Sequence, residues 1–184
     1  MLLLILGVAL WSAAHLFKRV APGLRQPLGI AGKGIAALLL VGSLVMMVMG
    51  YRQADFISVY VPPAGMGHAN NLLMLFALIV FGASMSKGWL WTKIRHPMLY
   101  GFALWAFAHL LVNGDVASLI LFGGLGAWAV AEVVLINKQT TWDRPLSGGP
   151  KRDLGLIGVV LVMYGLIALV HYWLGHNPFA GTYA

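Results

Sequence analysis

The chain has 184 residues, of which 60% are hydrophobic and only 9% are charged, and its mean hydropathy is +0.86. Because soluble domains carry roughly 25% charged residues, this composition excludes a water-soluble globular protein and indicates an integral membrane protein. Cysteine is absent, which excludes disulfides, iron–sulfur clusters and thiolate ligation of haem. The six histidines and the methionines are then the remaining soft ligands.

Six apolar runs long enough to cross a bilayer follow one another between charges, glycines and prolines. The fourth run begins after Arg95-His96-Pro97 and ends at Asn113-Gly114, and Asp115 is well placed to cap the fifth. We therefore predict an all-α fold: a polytopic integral membrane protein with about six transmembrane helices in a single domain, residues 1–184. The predicted spans are approximately 1–17, 30–50, 71–90, 97–112, 116–137 and 154–173.

Basic residues are strongly biased toward alternate connections. Eleven of the twelve lie in or beside the connections that follow the first, third and fifth spans, and only Arg52 lies on the other side. The positive-inside rule makes the basic side cytoplasmic, which predicts a multi-pass protein of the bacterial inner membrane with both termini extracytoplasmic. Topology and attraction to anionic headgroups of the lipid bilayer then explain the net charge of +7, and no nucleic-acid partner is predicted.

Histidines within the predicted spans are candidate ligands, because an ionisable side chain at bilayer depth costs several kcal/mol and needs a reason. His15 lies in the first span and His109 in the fourth, with Trp105 one turn before His109 on the same helix face. His171 and His176 lie at the outer end of the sixth span and beyond it, where an interfacial position explains them. Intramembrane histidines without cysteine or a carboxylate cluster favour bis-histidine haem b over zinc or di-iron.

The segment RHPMLYGFALWAFAHLLVNGD, residues 95–115, resembles the signature of the NnrU family of bacterial membrane proteins, to which plant zeta-carotene isomerase is related. The resemblance covers nearly the whole chain. Its further matches are His15 followed by basic residues, APGLR at 21–25, GYR at 50–52 and LFGG at 121–124.

This resemblance implies a role in denitrification and nitrogen-oxide metabolism, or haem-dependent isomerase or redox chemistry on a lipophilic small-molecule substrate. The haem-ligating histidines of the isomerase match His15 and His109, which makes them the implied metal ligands. Where that enzyme has a nearby cysteine this chain has Ala106, which argues against isomerase activity more than against haem binding. His96, Arg95 and Trp105 complete the expected cofactor site, with Arg95 pairing a propionate at its cytoplasmic mouth.

Depth in the membrane leaves the ligand pairing open. With an extracytoplasmic N-terminus, His15 lies toward the cytoplasmic end of the first span, whereas His109 lies near the extracytoplasmic end of the fourth. They can share one iron only if the short fourth span is displaced toward the cytoplasm. Otherwise His15 pairs with His96, and His109 pairs with His171 or His68.

Two other functions remain open. The RHP element followed by a tyrosine, a glycine and later a glutamate resembles membrane methyltransferases that use S-adenosylmethionine. Glu132 would play the part of their glutamate, although two residues instead of one separate Pro97 from Tyr100. The other alternative is a non-catalytic membrane factor, and neither the substrate nor the oligomeric state follows from the sequence.

Overall fold

The fold is all-α, as predicted. The computed structural model describes residues 1–180, so the last four residues of the predicted domain, 181–184, lie outside the described part. Within the described range no strand forms, and one isolated bridge joins Ser58 to Asp115. The helices are α1 (Leu2–Val20), α2 (Pro22–Arg25), α3 (Gly29–Arg52), α4 (Met66–Ser86), α5 (Pro97–Val112), α6 (Val116–Ser118), α7 (Gly124–Gln139) and α8 (Pro150–Trp173).

The helices confirm a multi-pass membrane protein. Five segments are long and apolar enough to cross a bilayer: Leu2–Val20, Pro22–Arg52, Met66–Ser86, Val116–Gln139 and Pro150–Trp173. The sixth, α5, is apolar but has only 16 residues, about 24 Å of helix. Its bounds are those predicted, because Pro97 starts the helix and Asn113 leaves helical geometry.

The third span differs from its prediction at both ends. Helix α4 begins at Met66, earlier than expected, after Gly65 adopts a positive φ of 80°. Its polar first turns are helical because they have tertiary partners: the Asn71 side-chain amide donates to the carbonyl of Pro178 at 3.0 Å. The helix ends at Ser86, where Lys87 adopts the left-handed conformation.

The long helices pack in the lateral order α3, α1, α7, α5, α4, α8. Small residues allow close approach: a Cβ on Gly50 would meet the backbone of Leu4, and one on Gly101 would meet the backbone of Phe81. Packing through small residues suits a membrane protein, where van der Waals contact drives helix association. Sequence neighbours α4 and α5 are also spatial neighbours, whereas α1 contacts α7 from the far part of the chain.

The antiparallel order gives the bundle two distinct ends. One end, which we call the terminal end, holds the start of α1 and the end of α8. There the start of α1 contacts the end of α3, and Ser58 pairs with Asp115. The basic end holds the connections in which most basic residues lie, and there the side chain of Gln139 donates to the carbonyl of Arg19. That the basic end is cytoplasmic stays a prediction.

A π-helical turn interrupts the fifth span at Leu119–Gly123. Before it, Asp115 caps the helix as predicted: its carboxylate accepts from the Ser118 backbone N–H at 2.9 Å and from the Ser118 hydroxyl at 2.5 Å. A π turn shifts the helical phase and is frequent at functional sites. Here it carries Phe122, which is buried against His109.

Candidate functional site

A cavity of about 620 Å³ lies at the terminal end of the bundle, between α4, α5, α8 and the π turn. This volume is within the ~300–1,000 Å³ range typical of small-molecule and cofactor sites. Its apolar lining includes Met74, Leu78, Trp105, Leu121 and Phe122. Its polar lining consists of neutral or imidazole side chains: Tyr51, Asn70, Asn71, His109, Asn113, Tyr164, His171, His176 and Asn177.

His109 contributes an oriented imidazole to this cavity from α5. Its Nδ1–H donates to the carbonyl of Trp105 at 2.9 Å, and its ring stacks on Phe122 with centroids 4.5 Å apart and planes 24° apart. A neutral imidazole that donates from Nδ1 carries its lone pair on Nε2, the atom that binds metals. His109 is therefore held in the tautomer that a metal ligand requires.

His171 lines the same cavity from α8 and has the same local geometry. Its Nδ1–H donates to the carbonyl of Ile167 at 2.8 Å, which again leaves the lone pair on Nε2. The structure thus places His109 and His171 on one cavity. From the sequence, this pair was only an alternative to the predicted pair of His15 and His109.

His15 occupies a different environment. Its Nδ1–H donates to the carbonyl of Trp11 at 3.0 Å, and its ring centroid lies 4.5 Å from those of both Trp11 and Trp128. His15 does not line the cavity around His109. Two indole rings flank it.

A series of aromatic rings separates the two histidines that the sequence pairs. From His15 to His109 it passes through Trp128, Phe102 and Trp105, with successive centroid distances of 4.5, 5.3, 4.9 and 5.1 Å. The structure therefore does not bring His15 and His109 side by side. Ligation of one haem by this pair stays a prediction.

Glu132 binds basic side chains of α1. It is buried at 5% exposure, and its Oε1 accepts from Arg19 Nε at 3.4 Å and lies 4.0 Å from Lys18 Nζ. This ion pair joins α1 to α7 near the basic end. The arrangement gives Glu132 a partner that the methyltransferase interpretation did not anticipate.

Arg95 and His96 also lie at the basic end, at the opposite end of α5 from His109. Arg95 donates to the backbone carbonyl of Thr140 at 2.6 Å and to its hydroxyl at 2.9 Å. His96 donates from Nε2 to the side-chain carbonyl of Asn137 at 2.8 Å. Of the five predicted site residues, only His109 and Trp105 line the cavity.

The parts played by Trp11, Trp128 and Phe122 were not predicted from the sequence. A recurring spacing was the available signal: a tryptophan lies four residues before His15, before His109 and before Glu132. Residues four apart share a helix face, so each pair presents a ring beside an ionisable group. The position of Phe122 had no such signal, because it depends on the π turn.

The donor set limits which metal groups the site fits. Within residues 1–180, no cluster of three or more histidine, aspartate, glutamate or cysteine side chains is placed to hold a metal ion. Haem needs only two axial ligands from the protein, and imidazole is a common one. The cavity is lined by two imidazoles from different helices, those of His109 and His171.

The fold and the cavity together define a polytopic α-helical membrane protein with a histidine-lined cavity inside its helix bundle. The chain belongs to the NnrU protein family, whose model matches residues 3–178. No curated protein and no solved structure matches the chain.

Proposed function

We propose that this protein binds haem b in the terminal-end cavity through His109 and His171. The observation that carries the proposal is that two imidazoles from different membrane helices line one cavity of about 620 Å³, each with Nδ1–H donated to its own helix. Such a bond orients a ligating histidine and raises its basicity.

The rest of the lining fits a planar apolar macrocycle with a polar edge. Trp105 and Phe122 form an aromatic wall beside His109. Asparagine side chains lie on the polar side, and the Oδ1 of Asn70 has no hydrogen-bond partner among the described residues. No arginine or lysine of residues 1–180 lines the cavity, so haem propionates would meet neutral groups and water at its mouth, away from Arg95.

Redox chemistry suits this site better than isomerisation by a ligand switch. When bound, haem b would supply a one-electron redox centre at this cavity. The substrate we propose for it is a nitrogen oxide or a lipophilic small molecule. Ala106, the position at which the related isomerase has a cysteine, is 1% exposed and packs where α5 meets Gly126. A methyl group buried in a helix contact offers no alternative ligand.

The absorption spectrum of the detergent-purified full-length protein tests the proposal. We expect sharp reduced α and β bands from haem-replete cells, lost or converted to a high-spin spectrum in His109→Ala and in His171→Ala. His96→Ala is the matched control, because its imidazole donates to Asn137 at the basic end and its spectrum should be unchanged.

His15→Ala distinguishes the two ligand pairs. Retained bands in this variant support ligation by His109 and His171, whereas loss of the bands together with retention in His171→Ala supports His15 and His109. A colourless wild-type protein from haem-replete cells contradicts haem binding and favours a non-catalytic membrane factor.

A further inference from the structure

Three buried polar atoms without hydrogen-bond partners among residues 1–180 lie around His15. They are the indole nitrogens of Trp11 and Trp128 and the Oε2 of Glu132. Trp128 and Glu132 are 7% and 5% exposed, so both side chains are more than nine-tenths buried. Buried polar groups normally have partners, because leaving one unpaired costs about 1–3 kcal/mol.

The residues that carry these atoms lie together because of matching helix spacings. His15 follows Trp11 by one turn on α1, and Glu132 follows Trp128 by one turn on α7. The two tryptophan rings lie 5.5 Å apart at an interplanar angle of 84°, with the imidazole 4.5 Å from each. We call Trp11, His15, Trp128 and Glu132 the indole cluster.

The charges and donors of the indole cluster define the ligand. Two indole N–H groups require an acceptor, whereas the carboxylate oxygen and the Nε2 of His15 require a donor. The carboxylate repels an anion. A cation would leave both indole donors unpaired and would face the adjacent ammonium of Lys18 and guanidinium of Arg19. A hydroxyl satisfies the three buried unpaired atoms, because its oxygen accepts from both indoles and its single proton can be donated to the carboxylate.

The position of the indole cluster indicates where such a hydroxyl comes from. Trp128 and Glu132 are buried in the bundle, while Trp11 and His15 are partly exposed on α1, a helix apolar enough to cross a bilayer. When α1 crosses a bilayer, the accessible side of the cluster would contact lipid. A ligand that reaches it through the bilayer must carry its hydroxyl on an apolar body.

We propose that the indole cluster binds the hydroxyl head group of a lipophilic phenol or quinol. The hydroxyl oxygen accepts from Trp11 and Trp128, and its proton is donated to Glu132 or His15. This site is separate from the cavity lined by His109 and His171, so its occupancy does not depend on haem.

Indole NMR of the full-length protein in lipid nanodiscs tests this proposal. With ¹⁵N-labelled tryptophan, the Trp11 and Trp128 resonances are assigned from Trp11→Phe and Trp128→Phe. The probe is a hydroquinone with a short alkyl chain, and its dimethyl ether, which accepts but cannot donate, is the matched control ligand. We expect both indole resonances to shift as hydroquinone is added. The dissociation constant from these shifts should be at least about fivefold lower for the hydroquinone than for the ether, since the ether forms fewer hydrogen bonds.

Substitutions give an independent measure of the same contact. Trp128→Phe keeps the ring and removes the N–H, and we expect it to weaken hydroquinone binding about fivefold. Trp173→Phe removes an indole that is 84% exposed and should leave binding unchanged. If Trp128→Phe does not fold, Trp11→Phe and the wild-type titration against the ether decide the question.

Two results overturn the proposal. In one, both indole protons show cross-relaxation to water and the hydroquinone does not move them, so that the cluster holds ordered water only. In the other, hydroquinone and ether bind equally, which means that hydrogen bonding from a hydroxyl plays no part.

Discussion

His109 and His15 have the same local geometry in different surroundings. Each follows a tryptophan by four residues and donates its Nδ1–H to that tryptophan's carbonyl, at 2.9 and 3.0 Å. His109 borders a cavity of about 620 Å³, whereas two indole rings flank His15. The comparison shows that helical spacing prepares an imidazole for ligation, while helix packing decides whether a large cofactor has room beside it.

The largest expected effect comes from filling the cavity without touching a ligand. Ala168 lines the cavity from α8, so Ala168→Phe places a ring in the space proposed for haem. We expect nearly complete loss of the α and β bands, because protein interiors do not absorb a large side chain without displacement. The measurement is the ratio of haem absorbance to protein in the purified variant.

Leu169→Phe is the matched control for this substitution. Leu169 is the next residue on α8, is 55% exposed and does not line the cavity. Equal haem content in the two variants would mean that haem lies elsewhere. The cavity beside His109 would then not explain a difference between His109 and His15 in cofactor binding.

Local signals explain which parts of the fold were predictable. The bounds of α5 and the cap at Asp115 follow from Pro97, Asn113 and the residues beside them, all within a few positions in sequence. Hydropathy likewise identified all six apolar helices, although the bounds of α4 differ from those predicted. These features depend on interactions within one helix, which a sequence displays directly.

The cavity was not predictable because it depends on which helices are neighbours. Helices α5 and α8 both pack against α4, and His109 and His171 therefore border the same cavity. The partner of Glu132 also comes from tertiary structure, since Arg19 is 113 residues away in sequence. The aromatic rings between His15 and His109 belong to two helices, Trp128 to α7 and Phe102 and Trp105 to α5, so no single segment of the sequence shows their order.

The second largest effect is expected from removing the ion pair beside His15. Glu132→Gln removes the negative charge near Arg19 and Lys18, and we expect it to lower the free energy of unfolding by about 1–2 kcal/mol. The cost stays below that of a fully buried pair because the Lys18 side chain is 55% exposed. Thermal unfolding in detergent measures it, and the haem bands should be unchanged.

Asp55→Asn is the control for this charge removal, since Asp55 is exposed on the segment after α3. A midpoint shift of the same size in both variants would show that net charge, and not the contact between α1 and α7, accounts for the effect.

A smaller effect concerns the turn that carries Phe122 to His109. Asp115→Ala removes the cap of the helix leading into the π turn, and we expect it to cost about 1 kcal/mol. Asp115→Asn should cost less, because asparagine is an equally favoured cap. Unfolding midpoints rank the two variants, and a larger loss for asparagine than for alanine would contradict the capping role.

The smallest effect is expected at Tyr60, which ties the segment after α3 to the cavity end of α5. Its hydroxyl donates to the carbonyls of Leu110 and Asn113, the latter at 3.0 Å. We expect Tyr60→Phe to lower stability by about 0.5–1 kcal/mol and to leave the haem spectrum in place.

The stabilisation from Tyr60 should also depend on pH. Burial, reinforced by the carboxylate of Asp115, raises the pKa of Tyr60 above its ordinary value of 10.0. A group whose folded pKa is raised contributes fully below the unfolded pKa, and its contribution is lost as the pH rises through the folded value. The difference in unfolding midpoint between wild type and Tyr60→Phe should therefore be constant up to about pH 9 and diminish in more alkaline solution, where both proteins converge. A difference that grows with alkalinity would show that Tyr60 does not act through its protonated hydroxyl.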